Sequence, residues 1–158
     1  IYPETKEFEK HNLKIIYLGW FLGDWSEVNN ALYSCANGLT IREDGVEKTA
    51  DLYGITALDE DFTPINQLIK YYKFGFGRIT DYINEDIRFG RISREDGIKV
   101  VEKYDSTWGD EYLQNYCDYL EISVENFWKK IHESLNTKLF KINKDGSIHP
   151  KFQVGHGL

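Results

Sequence analysis

The residues whose types and spacing invite chemistry lie between Phe74 and Arg94. There Phe74-Gly75-Phe76-Gly77-Arg78-Ile79-Thr80-Asp81 continues through Glu85, Asp86 and Arg88 to Arg91 and Arg94. Wound as a helix, Arg78, Asp81, Glu85 and Arg88 follow i, i+3, i+7, i+10 and share one face, opposite Ile79, Ile83 and Ile87. Such a face has two meanings. One is a solvated surface of ion pairs, each contributing only about 0.3 kcal/mol. The other is an anion site, in which Arg78, Arg88 and Arg91 grip a phosphorylated or carboxylated ligand through forked guanidinium contacts and Asp81 orients one of them. Gly75 and Gly77 would let backbone approach a ligand, but G-x-G alone lacks the third glycine and preceding strand of a dinucleotide fingerprint, and no G-x-x-x-x-G-K-[ST] loop occurs.

Other chemistry-bearing types are thinly spread. Trp20 and Trp25, with Phe21 between them, are candidates for an aromatic wall against a sugar ring, the alternative being core or interface packing. The ladder Tyr112, Tyr116, Tyr119 carries the same two meanings. His11, His132, His149 and His156 are scattered, so spacing supports neither a metal cluster nor a nucleophilic triad, and no metal ligands are assigned. Cys35 and Cys117 form no C-x-x-C pair and are expected to be buried free thiols.

The elements that must position these groups follow from periodicity. Leu13-Lys14-Ile15-Ile16-Tyr17-Leu18 is a short apolar run bounded by Gly19 and Gly23, which predicts a buried strand; its partners lie outside the chain, or the segment is extended without a sheet. Val28, Leu32, Cys35 and Ala36 predict a helix from Asp24 to Asn37-Gly38. Thr40 to Asp61 is charged, glycine-containing and aperiodic, hence a loop or hinge. Thr63-Pro64 caps a helix faced by Ile65, Leu68, Ile69 and Tyr72, and a second helix carries Ile79, Ile83 and Ile87 to Gly90. Ser93 with Asp96 forms a capping box for a helix to about Tyr104, Thr107 to Asp110 repeats the signal before Leu113, Tyr116 and Leu120, and Ser123 caps a helix stapled by Ile122 and Phe127. Two alternating runs around Asp145-Gly146 predict a terminal β-hairpin.

The fold expected is therefore mainly α: about five to six helices, a short N-terminal strand and a C-terminal β-hairpin. Residues 1–60 are expected to hold the end of an α/β domain plus a linker, and residues 61–158 a helical C-terminal domain, unless 1–158 is one compact unit. With 26 acidic against 19 basic side chains and a net charge of −7, the chain is not expected to bind nucleic acid. No stretch approaches the roughly 20 apolar residues of a membrane helix, and Ile1-Tyr2-Pro3-Glu4 opens nothing like a signal peptide, so a cytoplasmic, soluble protein is expected. The absence of methionine suggests a fragment or a processed chain.

The run from Lys73 to Asp81, then Asp86 to Glu95, then Val101 to Asp105 resembles the C-terminal region of the N-acetyl sugar amidotransferase family, as do Tyr119 to Trp128 and the closing Pro150-Lys151-Phe152. The likeness extends from about Leu13 onward. It implies an enzyme that activates a sugar acetamido oxygen with ATP and magnesium and lets ammonia from a separate glutaminase subunit displace the nucleotide, leaving an acetamidino group. The products of such enzymes enter lipopolysaccharide O-antigen or flagellin-modifying sugars. The S-G-G-x-D-S phosphate loop of that family is absent, so no cofactor is expected in this chain, which is expected to be inactive without an N-terminal ATP-binding half. The resemblance assigns Arg78, Thr80, Asp81, Arg88 and Arg91 to contact with the nucleotide-activated N-acetyl sugar or its phosphates. The alternative is a non-catalytic helical module that docks a glutaminase or another subunit.

Overall fold

The computed structural model describes residues 4–156; the opening Ile1-Tyr2-Pro3, read above as unlike a leader, lies outside them. The chain divides into two compact units, Ile1–Leu39 and Thr40–Leu158.

In the first unit, helix α1 (Thr5–Lys10) is followed by irregular chain, a 3-10 turn at Leu18–Phe21 and helix α2 (Glu27–Ala36). The expected strand at Leu13 to Leu18 does not form: the backbone there has no ladder partner among the described residues, and Ile15, Ile16 and Tyr17 are exposed. An extended apolar run needs a neighbouring edge to satisfy its N–H and C=O groups, and this unit supplies none. Residues 13–17 are irregular chain, and Leu18, the last of the run, opens the 3-10 turn. Helix α2 begins where Ser26 accepts a bond from Asn29 N at 3.0 Å, three residues after the predicted start at Asp24. No residue of α2 is buried: of its apolar stripe Val28 and Cys35, a free thiol, are half-buried, and Leu32 and Ala36 are exposed.

The second unit contains α3 (Val46–Thr49), α4 (Thr63–Phe74), α5 (Arg78–Arg88), α6 (Arg94–Tyr104), α7 (Asp110–Tyr119), α8 (Val124–Ser134) and the hairpin β1 (Phe140–Ile142) with β2 (Ile148–Pro150). The protein is mainly α, with eight α-helices among the described residues. The six anticipated helices all form, and the two extra ones are the short α1 and α3, which have too few residues to show a period.

Two of the anticipated helix starts are corrected. Thr63 lies inside α4 and not at its cap; the Glu60 carboxylate accepts from Phe62 N at 2.7 Å and from the Thr63 hydroxyl instead. Helix α7 starts from Gly109 with no side-chain cap, because the Thr107 hydroxyl is spent on the carbonyls of Tyr104 (2.9 Å) and Val46 (3.2 Å). The caps at Ser93 and Ser123 form as the pattern predicts, accepting from Asp96 N and Asn126 N, each at 3.1 Å.

Two cores result. Ile65, Leu68 and Tyr72 of α4 meet Leu113 and Cys117 of α7, Phe127 and Ile131 of α8, and Phe140 of β1. Ile79 and Ile83 of α5 meet Val101 of α6 and Ala50. The hairpin pairs Phe140 with Pro150 and Ile142 with Ile148 in antiparallel register, turning at Gly146, whose φ of +85° suits a residue without a Cβ. Beyond it the chain doubles back, so that Phe152 packs edge-on against Phe140 at 5.6 Å between ring centres.

Candidate functional site

Helix α5 is organised by a residue outside it. Its cap, Gly77, has no side chain to satisfy the first backbone donors, and Asp105, at the end of α6, reaches across to do so. The Asp105 carboxylate accepts from Gly77 N at 2.7 Å, Thr80 N at 3.0 Å and the Thr80 hydroxyl at 2.7 Å. A carboxylate at a helix N-terminus also meets the positive end of the helix dipole. Asp105 is only 4% exposed, and burial pushes its acidity toward higher pH against the pull of those three hydrogen bonds. The paired glycines serve the same packing. A Cβ on Gly77 would stand 2.7 Å from the Asp105 carbonyl oxygen, and one on Gly75, whose φ is +81°, would press on Leu139 and Phe152. Their missing Cβ atoms make room for neighbouring protein.

The five residues assigned by resemblance are distributed, not gathered. Thr80 is joined to Asp105. Asp81 pairs with Lys70 at 2.6 Å and, among the described residues, with no arginine. Arg78 lies over the Tyr82 ring at 4.8 Å and donates to the Thr56 hydroxyl at 3.2 Å. Arg91 donates to the Asp86 carboxylate at 2.6 Å and lies 3.5 Å from Glu85. Arg88 alone of the three arginines is exposed without a hydrogen bond or ion pair among the described residues.

The irregular stretch after α3 is what holds two of these arginines, and sequence reasoning missed it. The Asp51 carboxylate, itself buried, accepts from the backbone N–H groups of Tyr53 (3.2 Å), Gly54 (3.0 Å) and Thr56 (2.8 Å). That turn presents Thr56 to Arg78 and the Tyr53 hydroxyl to Asp86, where burial pushes the Tyr53 pKa up to about 12. The available signal was D-x-x-G-x-T, an acid followed by the small residues that let a side chain gather successive N–H groups.

A cavity of 410 Å³ opens beside Asp105, between the end of α4, the start of α5, the end of α6 and the segment after β2. Tyr71, Phe76, Glu102, Ser106, Phe152 and His156 are among its walls. Three of the stretches that carry the resemblance therefore meet here: Gly75, Phe76 and Thr80 from the first, Val101, Glu102 and Asp105 from the third, Pro150 and Phe152 from the last. Among the described residues no lysine or arginine lines it, so it does not suit a triphosphate. Among the described residues no three His, Cys, Asp or Glu side chains converge on a metal position. The residues that line this cavity thus do not fit ATP with magnesium, and no chemical step through either is assigned to them.

In the first unit, Trp20 is 87% exposed and Trp25 lies against Gly19. Trp20, Phe21, Tyr17, Ile15 and Ile16 border an open apolar hollow of 450 Å³ that excludes Trp25, so the two tryptophans do not form one wall. Among the described residues no helix is long and apolar enough to cross a membrane.

The second unit is thus a helical domain with a hairpin, organised around a buried carboxylate that caps a neighbouring helix. Residues 47–153 match the family described as "LPS biosynthesis protein WbpG-like, C-terminal domain". This span is more than half of the chain, and the chain belongs to that family. No curated protein matches it in sequence.

Proposed function

We propose that this domain is the C-terminal part of an ATP-dependent N-acetyl sugar amidotransferase, which converts a sugar acetamido group to acetamidino with glutamine-derived ammonia in surface polysaccharide or flagellin glycan biosynthesis. Membership of a lipopolysaccharide-biosynthesis family supports the pathway class. The observation that carries the finer reading is the meeting of three resembling stretches at one cavity, with Arg88 exposed on the same helix whose first turn borders it. On this reading ATP and magnesium belong to a separate N-terminal half, a glutaminase subunit supplies ammonia, and the assembly works in the cytoplasm. Arg88 contacts the phosphates of the nucleotide-activated sugar as it closes over the site, while Arg78 and Arg91 hold the helix in place.

The test uses the complete protein with its nucleotide-binding half. Arg88→Ala should lower kcat/KM for a sugar nucleotide by about tenfold or more, the scale of a lost charge-assisted contact. Unchanged turnover would count heavily against the assignment.

A second reading, a non-catalytic module that docks a glutaminase or another subunit, is favoured by one observation: Leu18, Trp20 and Phe21 stand exposed together. Cross-linking to a glutaminase that Trp20→Ser abolishes, with turnover indifferent to Arg88→Ala, would select it.

A further inference from the structure

We infer that the 410 Å³ cavity beside Asp105 is a subsite for one uncharged, polyhydroxylated ring, the sugar ring of the substrate proposed above, and not for its phosphates. The inference extends that proposal by assigning a part of the substrate to a place. It stands on the chemistry of the walls.

The size sets the first bound. Small-molecule pockets hold about 300–1,000 Å³, so this one, at 410 Å³, is large enough for a single ring. The lining sets the second. Phe76, Tyr71 and Phe152 offer aromatic surface of the kind on which the C–H faces of a pyranose pack. Glu102 stands exposed at the edge with no hydrogen bond or ion pair among the described residues, an acceptor open to ligand hydroxyls. Gln153 and Thr80 add an amide and a hydroxyl, and His156 an imidazole, around the same space. Lysine and arginine are missing from the lining, and two carboxylates are present, which repels an anion. The second carboxylate, Asp105, already accepts three hydrogen bonds from Gly77 and Thr80, so it makes a fixed wall and not a seat for a cation.

The walls are also held in place. Arg94 donates to the Gly155 carbonyl, and Lys151 N donates to the Leu139 carbonyl at 2.7 Å, so the segment that closes the cavity is tied to α6 and to the hairpin. A preformed cavity loses less freedom on binding than one that must assemble around its ligand.

Binding to the chain as it stands tests this without turnover. Saturation-transfer NMR with N-acetylglucosamine, N-acetylgalactosamine and N-acetylmannosamine should show transfer from at least one. Glu102→Gln and Phe76→Ala should each weaken that ligand about fivefold or more, and inorganic phosphate should not displace it. Glu102 is exposed, so its replacement leaves the fold intact; unchanged melting of that variant confirms the comparison. Transfer from none of the three sugars, equal affinity in both variants, or displacement by phosphate overturns the subsite. Failure here leaves the Arg88 assignment standing, and an Arg88→Ala enzyme with full activity would leave the subsite standing.

Discussion

The Asp105 carboxylate rests on the backbone of Gly77, accepting its N–H at 2.7 Å across 28 residues of sequence. The contact leaves no room for a Cβ, which would approach Oδ1 of Asp105 to 2.9 Å and its carbonyl oxygen to 2.7 Å. Gly77→Ala should therefore push α5 away from α6 and lower stability by about 2 kcal/mol. Asp105→Ala should cost about 3 kcal/mol, because a buried and a half-buried backbone donor lose their acceptor. Urea denaturation of the two variants checks both values, and a Gly77→Ala protein as stable as the parent would show that the close approach is not needed.

The same carboxylate should leave a signature in the pH dependence of stability. Burial raises the Asp105 pKa in the folded chain above its unfolded value. Between those two values the folded state binds more protons than the unfolded one, so its contribution is full below the ordinary aspartate range and is lost as pH rises through the folded value. Subtracting the stability of Asp105→Asn from that of the parent at each pH isolates this group. The difference should fall with rising pH; a rise would mean that the hydrogen bonds from Gly77 and Thr80 outweigh desolvation.

The elements were more legible than the contacts. Ile79, Ile83 and Ile87 announce α5, and Ser93 and Ser123 announce the caps of α6 and α8, because these signals lie within a few residues of one another. Asp105 capping α5 and Asp51 gathering the 53–56 turn were not legible, since one depends on two helices meeting and the other sits in an aperiodic stretch. The cavity was invisible for the same reason: its walls come from residues 71 to 156. The run at Leu13 misled because β-branched and aromatic residues favour a strand only when another edge is present.

Asp86 is only 3% exposed and is held by Arg91 at 2.6 Å and by the Tyr53 hydroxyl. Removing Arg91 leaves a buried carboxylate with one neutral partner, so Arg91→Ala should destabilise the chain by about 3 kcal/mol. Tyr53→Phe should cost about 1 kcal/mol, and it should remove one phenol that ionises near pH 12 from the ultraviolet titration. Since the folded value of Tyr53 is raised, its contribution is present below the ordinary tyrosine range and lost as pH climbs toward 12. Equal stability of Arg91→Ala and the parent would show that Tyr53 suffices for Asp86.

The arginines of α5 should separate cleanly when replaced singly. Arg78 covers the Tyr82 ring and donates to Thr56, so Arg78→Ala should lower stability by about 1–2 kcal/mol through lost packing and a lost charged donor. Arg88 is exposed and makes no polar contact among the described residues, so Arg88→Ala should leave stability within about 0.5 kcal/mol of the parent. Denaturation of both variants beside the activity of the complete protein then distinguishes support from contact. Loss of activity in Arg78→Ala alone follows from a loosened helix, whereas loss in Arg88→Ala at full stability requires that this guanidinium meet the ligand. A clear drop in the stability of Arg88→Ala would remove that distinction, because it would make Arg88 a structural residue too.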